Sequence, residues 1–168
     1  MTTCDPVDLT FLDAPPFRFT ASEVIARSPA EVFAALADAE SWPRWVFAIT
    51  GVTWTSPPPL GLGATRRVSM RGGLVADEVF IAWEADARMA FRFHEVNKGQ
   101  VKGFAEDYQV TDLGDGTCRI DWVMAMDLGG SSLVMRFGRP VFAAFIRRTL
   151  ANFRRYVERQ PRSGEEVA

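Results

Sequence analysis

The chain has 168 residues, a formal net charge of -2, 48% hydrophobic residues and 24% charged residues. These values are typical of a single globular domain of ordinary size, and the small charge gives no general attraction for nucleic acid. No apolar stretch reaches the roughly 20 residues that a membrane-spanning helix needs, and the first residues lack the basic and apolar segments of a signal peptide. We therefore expect a cytoplasmic protein without nucleic-acid binding or integral membrane association.

The first part of the chain combines a strand with a well-marked helix start. Residues 1–16 are rich in Asp and Pro without a sustained period, which predicts an N-terminal extension, and residues 17–27 read as the first strand. The segment Ser28-Pro29-Ala30-Glu31 has an N-cap, a proline at the first helical position and the glutamate of a capping box. A helix should start there, followed by a short helix or turn at Trp42–Trp45.

Strand patterns and turn residues then alternate, which predicts an antiparallel meander. The strands are predicted over Ile49–Thr55, Ala64–Arg71, Leu74–Glu84, Met89–Val96, Phe104–Asp112 and Thr117–Asp127. After Gly129-Gly130 the apolar residues recur at helical spacing, so one long helix is predicted from Leu133, with Pro140 at its start or at a kink. These elements make one domain over 17–160, and 161–168 are predicted to be a flexible tail.

This order of elements carries several short motifs with it. They are Ser28-Pro29-Ala30-Glu31-Val32-Phe33, Asp38, Trp42-Pro43-x-Trp45, Gly61-x-Gly63 and Asp115-Gly116-Thr117 leading to Trp122. Together they resemble the polyketide cyclase/dehydrase and lipid-transport families of the START-like (SRPBCC) superfamily. The resemblance implies an α+β helix-grip fold, with a curved antiparallel sheet of about seven strands around the C-terminal helix. It also implies an internal cavity for a lipid, a polyketide or an aromatic compound.

Strand alternation predicts which side chains face that cavity, although a bulge in a bent strand would reverse the assignment. The predicted ligand-binding residues come from the short helix, the inner faces of the strands and the long helix. They are Trp42, Trp45, Arg66, Val68, Met70, Val79, Ile81, Trp83, Met89, Phe91, Phe93, Glu106, Tyr108, Ile120, Trp122, Met124, Phe142, Phe145 and Ile146.

Few polar residues share these inner faces. Arg66, Asp77 and Glu106 do, and one interpretation is that Arg66 forms a structural pair with one of the two carboxylates. The other is that the three orient a ligand, with Glu106 a general acid or base whose pKa is raised by burial. Glu106, Asp77 and Tyr108 are therefore the candidate catalytic residues. The single histidine, His94, is predicted to face outward.

Three functions stay open at this point. The first is binding of a small hydrophobic molecule in the cavity, the second is a polyketide cyclase, aromatase or dehydratase reaction, and the third is a co-chaperone-like interaction module. Cys4 and Cys118 have no CxxC or Cys/His spacing, so no metal site is expected, and no glycine-rich nucleotide motif suggests a cofactor. The protein is expected to be a monomer or a homodimer.

Overall fold

The computed structural model describes residues 1–99, 101–129 and 132–162. Gly130 of the predicted glycine turn and residues 163–168 of the predicted tail therefore lie outside the described residues. The elements in chain order are β1 (Thr2–Thr3), a 3₁₀ turn (Leu9–Leu12), β2 (Phe17–Ile25), α1 (Pro29–Ala37), α2 (Trp42–Trp45), β3 (Ile49–Trp54), β4 (Thr65–Met70), a second 3₁₀ turn (Arg71–Gly73), β5 (Val75–Glu84), β6 (Arg88–Val96), β7 (Gly103–Gly114), β8 (Thr117–Asp127) and α3 (Ser132–Arg159).

Seven strands form one curled antiparallel sheet in the order β2-β8-β7-β6-β5-β4-β3, and β1 adds to β6. The meander from β3 to β8 follows the chain, and β2 closes the sheet beside β8. The helix α3 packs against β2 and the short helices through Ile146, Leu150, Phe153 and Val157, which recur on one helical face. The predicted α+β helix-grip fold is confirmed, and Pro140 lies inside α3.

The two short helices bring a pair of tryptophans under the sheet. Helix α1 starts as predicted, because Ser28 and Glu31 form both halves of a capping box. The Oγ of Ser41 then donates to the Ala35 carbonyl at 2.6 Å, and the Nε1 of Trp42 donates to the Leu36 carbonyl at 2.9 Å. These bonds satisfy buried donors, and the Nε1 of Trp45 donates to the Oγ of Ser41 at 3.3 Å; both tryptophan rings are buried in the core.

One of two register shifts in the β5–β6 pair corrects the predicted inner face of β5. Asp77 pairs with Glu95 but Glu78 pairs with Phe93, so His94 is an extra residue in β6; a second shift between Phe80 and Ala82 makes Ile81 an extra residue in β5. Glu78 and Phe80 are buried, whereas Val79, Ile81 and Asp77 are not. The inward prediction for these last three residues was therefore wrong.

The N-terminal segment lies across the outer face of the same sheet. Thr2 and Thr3 pair with β6 beyond the stretch that β6 shares with β7, and the backbone N–H of Cys4 donates to the His94 carbonyl at 2.9 Å. Leu12 is buried against Ala105 and Ala125, which alternate with the inward residues of β7 and β8. A Cβ at Gly103 would stand only 3.0 Å from the Cγ1 of Val7, so this glycine permits the close approach of the segment.

Candidate ligand cavity

A cavity of about 580 Å³ lies between the inner face of the sheet, α2 and the N-terminal part of α3. Ten of the residues predicted from the sequence line it: Trp42, Met70, Phe91, Phe93, Glu106, Tyr108, Trp122, Met124, Phe142 and Phe145. Ten others that were not predicted as site residues complete the lining: Val46, Ala48, Ile49, Leu74, Glu78, Val101, Phe104, Met126, Leu128 and Val141.

The remaining predicted site residues do not line the cavity, for two reasons. Six are buried in the filled part of the core, and Trp83 packs against that same core. The six are Trp45, Arg66, Val68, Met89, Ile120 and Ile146. Val79 and Ile81 are absent from the core because Ile81 is the extra residue of the β5 bulge, which reverses the alternation before it and turns Val79 to the other face. The inner surface is thus divided into a filled half and an open half.

The charged residue at the boundary between these halves is Arg66. Its Nε donates to Oε2 of Glu78 at 2.5 Å, since the β4–β5 register places the two residues opposite each other. Arg66 is 0% exposed and Glu78 is 3% exposed. The partner expected from the sequence, Asp77 or Glu106, was wrong because the extra residue Ile81 reverses the alternation of β5, so Glu78 faces inward opposite Arg66.

Aromatic rings enclose the guanidinium of Arg66. Its central carbon lies 4.1 Å from the centroid of the Trp42 ring and 4.5 Å from that of Phe91. Such contacts with the ring faces stabilise a desolvated cation. Neither Nη1 nor Nη2 has a hydrogen-bond partner among the described residues, so the rings and Glu78 account for the environment of this charge.

A second polar pair faces the cavity from β7. Glu106 and Tyr108 are two residues apart and share a face, and the Tyr108 hydroxyl donates to Oε2 of Glu106 at 2.6 Å. Burial raises the pKa of Glu106 to about 8; the hydrogen bond from Tyr108 opposes this shift and the nearby Glu78 adds to it. At neutral pH most molecules therefore hold Glu106 as an uncharged carboxylic acid.

The pKa of the Glu78 carboxyl group is shifted in opposite directions by burial and by Arg66. Burial raises the pKa of its carboxyl group, and the Arg66 guanidinium lowers it again. Tyr108 is also affected, because burial and the adjacent Glu106 raise the pKa of its hydroxyl well above the ordinary value. Tyr108 therefore stays a hydrogen-bond donor.

The other polar residues singled out from the sequence lie away from the cavity. Asp77 accepts two hydrogen bonds from Arg67, each at 2.7 Å, on the outer face, and this bonding lowers the pKa of Asp77. His94 is exposed, as predicted. Within the described residues no group of three His, Cys, Asp or Glu side chains could hold a metal ion, and no helix is both long and apolar enough to cross a bilayer.

Comparison with known proteins places these features in a family. A family model described as polyketide cyclase / dehydrase and lipid transport matches residues 16–158. Uncharacterized proteins of Mycobacterium tuberculosis and Mycobacterium bovis are each 46% identical over 159 residues, which covers 94% of this chain and 95% of theirs. Neither name states a function.

Solved structures share the fold at low sequence identity. A START superfamily protein from Mycobacterium smegmatis is 11% identical, with a TM-score of 0.62 over 84% of this chain and 94% of that one. A protein from Thermus thermophilus is 14% identical, with a TM-score of 0.67 over 84% of this chain and 97% of that one. At these identities the likeness concerns the architecture alone.

Proposed function

Because the chain belongs to the polyketide cyclase / dehydrase and lipid transport family, we propose that it binds one small hydrophobic molecule, a lipid, a polyketide or an aromatic compound, in the cavity beneath α3. The observation that carries this proposal is the composition of the lining, which is apolar except for Glu78, Glu106 and Tyr108. The cavity volume falls within the range of small-molecule sites, roughly 300–1,000 Å³. Burial of apolar ligand surface would supply about 25 cal/mol per Å².

Native mass spectrometry of protein purified without added ligand tests this proposal directly. A hydrophobic molecule bound at one copy per chain, and released under denaturing conditions, supports it. A second test uses the uncharged fluorescent probe N-phenylnaphthylamine, whose emission rises in an apolar site. A chain that carries no molecule and also leaves the probe dark would contradict the proposal.

Partly filling the cavity should weaken probe binding. Met124 lines the cavity from β8, so Met124→Trp would occupy part of its volume. We expect the affinity for N-phenylnaphthylamine to fall at least about tenfold, since a bulkier side chain removes space that the probe needs. Fluorescence titration of both proteins measures this change.

The matched control places the same side chain elsewhere on the sheet. Val24 is 53% exposed on β2 and does not line the cavity, so Val24→Trp should leave the affinity unchanged. Circular dichroism of both variants reports whether they are folded. Equal loss of affinity in the two variants, or none in Met124→Trp, contradicts the assignment of the site.

A second function, general acid catalysis, is favoured by one specific observation. Glu106 is buried at the cavity wall with a pKa raised to about 8 and a hydrogen bond from Tyr108 that orients it. A carboxylic acid that keeps its proton at neutral pH can donate it to a ligand oxygen, as a cyclase or dehydratase reaction requires. Such a reaction would use the same cavity as simple binding.

Substitution of Glu106 separates catalysis from binding. If the acid is catalytic, Glu106→Gln should lower turnover of a polyketide test substrate by about a hundredfold or more, because general acids contribute at least that factor. Probe affinity should change little. Asp77→Asn is the control, since Asp77 faces outward and pairs with Arg67. Unchanged turnover in Glu106→Gln excludes this role.

The third function considered from the sequence, an interaction module, needs an exposed apolar patch, for which residues 1–16 are one candidate. Leu12 of that segment is buried against the protein's own sheet, and Val7 and Phe11 pack around Gly103. These apolar residues are thus engaged within the domain, which favours the cavity as the functional site.

A further inference from the structure

The polar lining of the cavity carries carboxyl groups without an accessible counter-charge. Glu78 and Glu106 both line it, and Tyr108 is the other titratable group in the wall. No basic side chain is found among the described residues that line the cavity. The charge that a ligand would meet at this end of the cavity is therefore zero or negative.

Arg66 does not supply the missing positive charge to a ligand. Its Nε is engaged by Glu78, and the rings of Trp42 and Phe91 cover the guanidinium at 4.1 Å and 4.5 Å. Trp42 is itself held in place by the hydrogen bond from its Nε1 to the Leu36 carbonyl. Because Arg66 is 0% exposed, a ligand carboxylate could reach it only after one of these covering side chains moved.

The energetic consequence depends on the ligand's polar group. A carboxylate that enters an apolar cavity loses its hydration, and one hydrogen bond from the uncharged Glu106 would recover less of that free energy than a paired cation would. Here it would meet Glu78 instead. A hydroxyl group can exchange a hydrogen bond with Glu106, and an ammonium group can form a charge-assisted hydrogen bond with a carboxylate.

We infer that the cavity accepts ligands whose buried polar group is a hydrogen-bond donor, either hydroxyl or ammonium, and rejects ligands with a carboxylate. This inference rests on the proposed function and specifies its ligand class. It follows from the position of Glu78 and Glu106 in the wall and of Arg66 behind Trp42.

The two kinds of donor differ in their effect on Glu106. An ammonium group stabilises the ionised carboxylate, so its binding releases the proton that Glu106 holds at neutral pH. The affinity for an amine should therefore rise with pH, by up to about tenfold per unit below pH 8. A hydroxyl ligand needs no such proton release.

The experiment compares three ligands with the same ten-carbon chain: decanol, decylamine and decanoate. Each displaces N-phenylnaphthylamine from the full chain at neutral pH, and fluorescence gives the affinities. We expect decanoate to be at least about tenfold weaker than decanol or decylamine. The decylamine titration is repeated at several pH values with the wild type and with Glu106→Gln, in which the pH dependence should disappear.

Two results would overturn the inference while the proposed function stands. One is equal affinity for the three ligands. This would arise if the carboxylate stays in water at the cavity mouth, or if Trp42 moves and lets the carboxylate reach Arg66. Failure of all three ligands to displace a bound probe would overturn the inference as well. The other is tighter binding of decanoate. Failure of the probe itself to bind contradicts the proposed function, and the inference with it.

Discussion

Arg66→Ala should lower the free energy of unfolding by about 3–5 kcal/mol, because it leaves the buried Glu78 carboxylate without a counter-charge. The substitution also removes the cation that packs against the rings of Trp42 and Phe91. Both losses occur in the protein interior, since Arg66 is 0% exposed. Urea denaturation monitored by tryptophan fluorescence measures the change.

The neighbouring residue provides a matched control. Arg67 pairs with Asp77 at 2.7 Å, but its side chain is 53% exposed, so Arg67→Ala should cost no more than about 1 kcal/mol. The double variant Arg66→Met/Glu78→Leu removes both buried charges and should recover most of the stability. A cost for Arg66→Ala no larger than that for Arg67→Ala would contradict a desolvated, tightly coupled pair.

Stability should fall as the pH rises from about 5 to about 8. The folded protein keeps a proton on Glu106 up to a pKa of about 8, whereas the ordinary value for the unfolded chain is 4.5. Unfolding therefore releases a proton in this range, and raising the pH favours the unfolded state. The free energy of unfolding should fall by up to about 1.4 kcal/mol per pH unit, with a total loss of up to roughly 5 kcal/mol.

Urea denaturation across this range in wild type and Glu106→Gln isolates the contribution of Glu106. The variant cannot ionise at this position, so most of the slope should vanish. A smaller slope of the same sign should remain, because burial also raises the pKa of Glu78. The lowered pKa of Asp77 acts in the opposite direction, but only below its ordinary value of 3.8. An unchanged slope in Glu106→Gln would contradict the burial of an uncharged acid.

The alternation of residues along a strand predicts the inward-facing side chains correctly where the two paired strands stay in register. Tyr108 pairs with Trp122 and Glu106 with Met124 along an undisturbed stretch of β7 and β8, so the inward residues of both strands were predicted correctly. The helix start at Ser28 was predictable for a related reason, since a capping box is a local interaction. Local chemistry and uninterrupted pairing therefore determine these parts of the fold.

The inner face of β5 could not be predicted, because both of its faces carry apolar residues. Val79 and Ile81 alternate as well as Glu78 and Phe80 do, and each face offers one carboxylate. The two arginines of β4 do not resolve the choice either, since Arg66 and Arg67 face opposite sides and each finds a carboxylate across the strand pair. Only the bulge at Ile81 decides, and alternation within the strand does not show where a bulge will form.

The alternation of residues along the strands also could not predict how far the cavity extends. Ile120 and Trp122 share one face of β8, yet only Trp122 lines the open half. What distinguishes them is the part of α3 above each, since Phe142 and Phe145 stand over the cavity while Ile146 and Phe153 fill the other half. The crossing of α3 over the sheet sets this division, and residue spacing within a strand does not encode it.

The two buried cysteines allow local opening of the structure to be followed by the rate at which their thiols react. Cys4 is buried where the N-terminal segment joins β6, and Cys118 is buried in the main core, with exposures of 3% and 0%. Burial raises the pKa of both thiols, that of Cys118 to about 11, so reaction with an alkylating reagent must wait for exposure. The labelling rate of Cys4 would thus report detachment of the terminal segment, and that of Cys118 the opening of the core.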